Sequence, residues 1–286
     1  MTVKEALLYG RRRLAAAGVQ NPVLDSELIL AHVLGMSRLQ VMVENKVELT
    51  GKQLAVYEGL LDLRRRHVPV AYITGRKEFY GLEFSVRPGV FIPRPETEFS
   101  VEEALEAVKD LRNPRAADLC CGSGAIAVTL AVKNPGLVVY ASDISETAGE
   151  VTRENAVKHR VKERVFFMRG DLWEPFEKKG IGDLDAVVSN PPYIPSGEIE
   201  TLPEDVKREP VMALDGGPDG LEIYRRIISK APAFLKAGGR IIFEIGWNQA
   251  APVKALLEKA GFEVKKVIKD YAGLDRVVSA VKRPEL

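Results

Sequence analysis

The chain has 286 residues, with 41 Lys+Arg against 40 Asp+Glu and a formal charge of +1. This length accommodates one large domain or two unequal ones and can bury most of the unfolded surface. The charge balance argues against nonspecific nucleic-acid binding as the main business; no apolar run reaches membrane-spanning length, and three histidines give no ground for a metal site.

The first residues, Met1-Thr2-Val3-Lys4-Glu5, open directly into an amphipathic helix and lack the apolar core of a signal peptide. The expectation is a soluble, cytoplasmic protein. Residues 1 to about 68 read as all-helical. Thr2 with Glu5 forms a capping box, Leu7, Leu14 and Ala17 give helical spacing, and Gly18 stops the helix. Pro22 starts a second helix through Leu24, Leu28, Ile29 and Val33, ended by Gly35. Ser37 caps a short third helix, and Thr50 with Gln53 opens a fourth through Leu54, Tyr57, Leu60 and Leu61. The tail Arg64-Arg65-Arg66-His67 places cations at the negative end of that helix and reads as a solvated helix end.

The texture changes at Pro69. Ala71-Tyr72-Ile73, Glu78-Phe79-Tyr80 and Leu82 to Val86 read as hairpin strands interrupted by Gly75 and Gly81. They lead to a linker stiffened by Pro93 and Pro95, then a helix from about Thr97 to Asp110. From Ala116 strands and helices alternate: strand Ala116 to Cys120, helix from Ala125 to Lys133, strand Leu137 to Ala141, helix from Glu146 to His159 and strand Val165 to Met168. After strand Ala186 to Val188 comes a long connection, 195–220. A helix then leads to strand Arg240 to Ile245, another helix, and a final strand pair turning at Gly273. Such alternation predicts an α/β fold with a doubly wound, mostly parallel seven-stranded sheet whose last two strands are antiparallel. The boundaries read are a helical domain over 1–68, a hairpin linker over 69–96 and a catalytic domain over 97–286.

Two stretches carry chemistry. Gly122-Ser123-Gly124-Ala125-Ile126-Ala127 fits a dinucleotide-type turn, with Asp143 placed to accept from two ribose hydroxyls; this much suits NAD and S-adenosylmethionine equally. Asn190-Pro191-Pro192-Tyr193, just past a buried strand, offers a carboxamide, carbonyls with no competing proline N–H, and an aromatic face. It holds no evident acid for hydride chemistry but does hold acceptors for an NH₂ group, which favours methyl transfer to a weakly nucleophilic nitrogen. Cys120 and Cys121 are adjacent, so no disulfide framework is read, and packing is their expected role.

Phe91-Ile92-Pro93-Arg94-Pro95-Glu96-Thr97-Glu98, Asp118-Leu119-Cys120-Cys121-Gly122-Ser123-Gly124 and Asn190-Pro191-Pro192-Tyr193 resemble the peptide chain release factor glutamine N5-methyltransferases. The resemblance extends over nearly the whole chain. It implies a class I S-adenosylmethionine-dependent methyltransferase with a small N-terminal helical domain and hairpin linker. The implied substrate is the side-chain amide of the glutamine in the Gly-Gly-Gln motif of class 1 release factors, with the helical domain gripping the partner. It implies cofactor contacts from Cys120, Cys121, Gly122, Ser123, Gly124, Asp143, Asp171, Leu172 and Asn190, a catalytic turn at Asn190, Pro191, Pro192 and Tyr193, and a substrate contact at Phe91. Cys120-Cys121 stands where the family commonly has Gly or another small residue, and Leu172 where some members have an aromatic one. No metal, membrane or direct nucleic-acid partner is expected, and the chain is read as a monomer. Sister enzymes methylating a glutamine of a ribosomal protein, or an adenine amino group, are the alternatives; a noncatalytic module on the same fold is a further one.

Overall fold

A computed structural model describes residues 1–284. Backbone contacts divide it into two units, residues 1–76 with 203–208, and residues 77–202 with 209–284.

In the first unit, α1 (Val3–Ala16), α2 (Pro22–Leu34), α3 (Arg38–Val43) and α4 (Gly51–Arg65) follow from their caps. Thr2, Ser37 and Thr50 each accept from the third helical N–H, while Glu5, Gln40 and Gln53 reach back to the cap N–H. Gly35 closes α2 in the left-handed region, at φ 64°. Leu14, Ile29, Leu30, Tyr57 and Leu61 fill the core between these helices.

Two expectations are corrected here. Ala71 to Ile73 is not a strand but part of α5 (Val70–Thr74). Pro69 fixes its own φ at −56° and its carbonyl accepts from Tyr72 and Ile73, while Gly75 ends the turn at φ 72°. Nor is the basic tail of α4 wholly solvated: Arg64 is buried, donating to Asp25 at 2.6 Å and to Asp205 at 3.3 Å.

The hairpin is therefore shorter than expected, β1 (Arg76–Phe79) with β2 (Leu82–Ser85). Tyr80 and Gly81, at φ 52° and 72°, make its two-residue turn. Glu98 accepts from the Tyr80 N–H at 2.8 Å, which ties the turn to the start of α6 (Glu98–Val108).

The large sheet contains β3 (Arg115–Leu119), β4 (Val138–Asp143), β5 (Val165–Arg169), β6 (Leu184–Ser189), β7 (Leu235–Glu244), β8 (Phe262–Lys269) and β9 (Asp275–Lys282). Its order is β5-β4-β3-β6-β7-β9-β8. The pairs from β5 to β7 are parallel and both β9 pairs are antiparallel. β7 starts earlier than its regular apolar run, because Leu235 pairs with Leu184 before a register shift. The helices on this sheet are α6, α7 (Ala125–Lys133), α8 (Glu146–Lys158), α9 (Glu174–Lys179), α10 (Glu222–Phe234) and α11 (Ala250–Lys259).

Alternation along each strand sends its side chains to two cores. Ala116, Ala186 and Val188 meet Val101, Ile126, Leu130 and Ala156 on one face. Ala117, Leu119 and Val187 meet Phe176, Tyr224, Ile227, Val253 and Leu257 on the other. On that second face Trp173 stacks on Phe234 at 4.3 Å and donates its indole N–H to the Ile227 carbonyl. Covering both faces explains why the central strands read as near-continuous apolar runs.

Candidate active site

The sheet register brings the chemistry together. Leu119 pairs with Ser142 on one side and Ser189 on the other, and Ser189 pairs with Phe243. The residues that follow these four are Cys120, Asp143, Asn190 and Glu244. They therefore stand side by side along the carboxyl edge, at the point where the strand order reverses and open sheets bind ligands.

The turn after β3 is shaped by backbone conformation. Cys120, Gly122 and Gly124 have φ of 60°, 54° and 74°. At Gly124 a Cβ would lie 2.8 Å from Thr152 Cγ2, so only glycine fits. Gly122 N–H donates to Asp143 Oδ2 and Ser145 N–H to Asp143 Oδ1, both at 2.9 Å. Burial raises the Asp143 pKa, opposed by these backbone donors and that of Ile144. Thr152 donates to the Gly122 carbonyl, and Asn155 to that of Ser123. Burial raises both thiols, leaving Cys120 and Cys121 as neutral packing groups.

Asp118 lies wholly buried beneath this turn. Its Oδ2 accepts from Ala127 N–H at 3.0 Å, while Oδ1 has no partner among the described residues. Burial pushes its pKa up to about 8. The Gly170–Leu172 backbone is tied to the end of β4, with Gly170 N–H donating to the Asp143 carbonyl and Ser142 Oγ to the Leu172 carbonyl. Leu172 is buried and adopts φ 48°. The Asp171 carboxylate is engaged by Arg226 of α10, so this turn has backbone, and not a carboxylate, tied to Asp143.

In the turn after β6, Asn190 donates through Nδ2 to Thr97 Oγ1 at 3.2 Å. This bond turns the Nδ2 end of the carboxamide toward Thr97 and the Oδ1 end away from it. Pro191 is buried and Pro192 partly so. Tyr193 packs against the second core; burial raises its phenol pKa, and its carbonyl accepts from Gln249 Nε2 at 2.9 Å. Ile194 N–H donates to the Leu214 carbonyl and the Ile194 carbonyl accepts from Gly216 N–H, closing the returning loop onto the turn. Phe91 sits beside the glycine turn rather than being paired with Asn190 by any contact observed: its Cβ is 3.9 Å from where a Gly122 Cβ would be. Arg94 lies over the Phe91 ring at 4.9 Å and pairs with buried Glu209, whose other oxygen accepts from Ile92 N–H.

Sequence reasoning therefore missed Thr97 as a neighbour of Asn190, gave Asp118 no role of its own, and missed Glu209 and Glu244 altogether. Asp118 carried a signal, an acid in an otherwise apolar strand before a glycine turn. Glu209 and Glu244 carried none, because their partners are distant in sequence. Among the described residues no cluster of three or more potential ligands could hold a metal ion, and no helix is long and apolar enough to cross a membrane.

A doubly wound sheet with a glycine turn after β3, an acid ending β4 and an Asn-Pro-Pro-Tyr turn after β6 defines a class I methyltransferase domain. A solved methyltransferase from Pyrococcus furiosus shares this fold, with a TM-score of 0.54 at 20% identity over 73% of this chain and 92% of its own. The family model for the PrmC N-terminal domain matches residues 5–75, and that for the methyltransferase small domain matches residues 81–203. The release factor glutamine methyltransferase of Moorella thermoacetica is 41% identical over 286 residues, all of both chains. That of Clostridium botulinum is 40% identical over 99% of this chain and all of its own. The chain belongs to the release factor glutamine methyltransferase family.

Proposed function

We propose that this protein methylates the side-chain amide nitrogen of a glutamine, the one in the Gly-Gly-Gln motif of class 1 peptide chain release factors, using S-adenosylmethionine. The observation that carries this reading is the orientation of Asn190, whose Nδ2 is held by Thr97 so that an acceptor is left for a substrate NH₂.

The residues of the glycine turn fit the cofactor. Gly122 and Gly124 let a ligand approach the backbone, Asp143 retains lone pairs for ribose hydroxyls beyond those taken by Gly122 and Ser145, and Asp118 keeps an unpartnered oxygen beneath. Cys120 to Gly124, Asp143, the Asp171-Leu172 backbone and Asn190 would line it. When bound, S-adenosylmethionine supplies a methyl group on a sulfonium, which leaves as a neutral thioether.

An amide nitrogen is a poor nucleophile because its lone pair is delocalised into the carbonyl. Asn190 Oδ1 and the Pro191 carbonyl accept its two hydrogens, which localises density on nitrogen and fixes its direction. Pro192 keeps the turn stiff, and Tyr193 walls the planar amide. Positioning and preorganised acceptors then do most of the catalysis. The proton lost from nitrogen passes to solvent. In this reading the chain acts as a monomer in the cytoplasm, on a protein and without direct nucleic-acid contact, and residues 1–68 form a recognition domain joined by the 69–96 linker to the catalytic part.

The test offers release factor, ribosomal protein and adenine-containing DNA separately, with methyl-labelled cofactor and mass spectrometry of the products. Label is expected on the Gly-Gly-Gln glutamine, with turnover about 10²–10³-fold lower in Asn190→Ala. Label confined to either other substrate overturns the reading.

A further inference from the structure

We propose that Gln249 is a positioning residue for methyl transfer: its buried carboxamide grips the exit of the Asn190-Pro191-Pro192-Tyr193 turn and so fixes where that turn presents its acceptors. This rests on the glutamine-methylation reading and extends it to a side chain that does not touch the substrate.

Gln249 stands in the loop between β7 and α11 and is buried. Its Nε2 donates to the Tyr193 carbonyl at 2.9 Å and to the Gly220 carbonyl at 3.2 Å. Its Oε1 accepts from the Gly246 N–H at 3.0 Å. One side chain thus ties together the turn after β6, the end of the long connection and the loop after β7. The residue type follows from these partners. Two carbonyls require two donors on one atom, and the N–H opposite requires an acceptor beside it; a primary amide has that set. A carboxylate has no donor, lysine and arginine have no acceptor, and asparagine is one methylene shorter. The same partners fix which end of the amide faces the turn. A flipped amide would set its oxygen against two carbonyls and its NH₂ against an N–H.

The turn needs such a hold from outside. Pro191 and Pro192 have no N–H, so half of its residues cannot tie the backbone by donating. The entry to the turn is fixed by Ser189 at the end of β6, whose Oγ donates to the Leu119 carbonyl at 2.6 Å. The exit is fixed by Gln249. Behind the exit there is no slack: a Cβ on Gly216 would stand 2.7 Å from Tyr193 Cα, and Gly216 N–H donates to the Ile194 carbonyl at 2.8 Å. Without Gln249 the Tyr193 carbonyl loses its donor and the exit can shift, taking the Pro191 carbonyl and the Tyr193 ring with it.

The test compares wild type with Gln249→Ala, Gln249→Glu and Leu137→Ala, each assayed below its melting temperature at saturating S-adenosylmethionine. In Gln249→Ala, kcat should fall by roughly ten- to a hundredfold, the loss that follows displacement of a reacting group. Cofactor affinity by calorimetry should stay within about twofold, because only a step after binding is affected. Leu137→Ala truncates a buried side chain just before β4, at the opposite, amino edge of the sheet. It should also lower the melting temperature, yet keep kcat within about threefold of wild type. Gln249→Glu supplies the rescue. Ionised, it sets an oxygen against two carbonyls; protonated, it donates to Tyr193 and still accepts from Gly246. Its kcat relative to wild type should rise about tenfold as pH falls from about 8.5 to about 6, since burial lifts a carboxyl pKa into that range. Hydrogen exchange reads the hold without turnover: the Gly246 and Ile194 amides should exchange faster in Gln249→Ala than in Leu137→Ala. A Gln249→Ala enzyme with kcat no lower than that of Leu137→Ala, a Gln249→Glu ratio that ignores pH, or unchanged exchange at both amides overturns the proposal. A wild-type protein that labels only ribosomal protein or DNA overturns the functional reading instead, and the same comparison on that substrate still decides the role of Gln249.

Discussion

Arg64 donates through Nε to the Asp25 carboxylate at 2.6 Å, in the core of the helical unit, and through Nη2 to Asp205 at 3.3 Å. Asp205 belongs to residues 203–208, which leave the sheet unit after the Asn-Pro-Pro-Tyr turn and return to it at Glu209. One buried guanidinium thus anchors the middle of the long connection. Burial raises the Asp25 pKa, and the Arg64 bond opposes that. Removing one member of a buried pair costs on the order of 3–5 kcal/mol, so Arg64→Ala should lower the urea midpoint of the protein strongly. Amides in 203–208 should also exchange faster. Arg65 is exposed and pairs with half-exposed Asp62, and Arg65→Ala should change stability by less than about 0.5 kcal/mol.

Asp143 has two tasks, and they can be separated. Its carboxylate receives the N–H groups of Gly122 and Ser145, and in the proposed function it also receives the ribose. Asp143→Asn keeps the size but replaces one acceptor with a donor facing a backbone N–H. Cofactor affinity measured by calorimetry should weaken by about 1.5–3 kcal/mol, the range for hydrogen bonds to a charged group. The melting temperature without cofactor should fall as well, because the glycine turn loses a strut. An unchanged affinity would remove Asp143 from the cofactor site.

Gly220 lies at the back of the Asn190-Pro191-Pro192-Tyr193 turn, which is catalytic in the proposed function. Its φ is 71°, and a Cβ there would stand 2.3 Å from the Tyr193 carbonyl oxygen and 2.7 Å from Gln249 Nε2. Gly220→Ala therefore has to push on Asn190-Pro191-Pro192-Tyr193 from behind. Methyl transfer should drop by at least about tenfold, since displacements of an ångström at a reacting group carry such losses. Cofactor affinity should change little. Gly238→Ala, at φ 78° with nothing nearby, is the control: it should cost about 1 kcal/mol of stability and leave turnover unchanged.

The buried acids set a pH dependence of stability. Asp118 has its pKa raised by burial from 3.8 to about 8. The folded protein then holds a proton that the unfolded chain has already released. By linkage, this contribution favours the folded state most below the unfolded pKa and is lost as pH rises toward the folded one. Urea midpoints of the cofactor-free protein should therefore decline between about pH 4 and pH 8. Asp118→Asn should flatten much of that slope, because the amide does not titrate. An unaltered slope in this variant would mean that Asp118 is not the group responsible.

Local chemistry was legible wherever it is written in adjacent residues. The three capping boxes, the stop at Gly35, the glycine turn, the acid at Asp143 and the stiff turn at Asn190 each depend on a few consecutive side chains, and each formed where its residues implied. Ala71-Tyr72-Ile73 was not legible, because three apolar residues fit one helical turn as well as a strand; Pro69 and Gly75 decided it. Arg64 looked like its exposed neighbours Arg65 and Arg66 because burial is a property of the packed helices. Sequence also gave the strand count and the alternation, since both follow from periodicity. What only the tertiary structure decided is the alignment of Asp143, Cys120, Asn190 and Glu244 along one sheet edge, and the Thr97 hydroxyl set against the Asn190 carboxamide. Strand register and hydrogen bonds across 93 positions of chain are fixed by burial on both faces of the sheet at once, which no local stretch of sequence encodes.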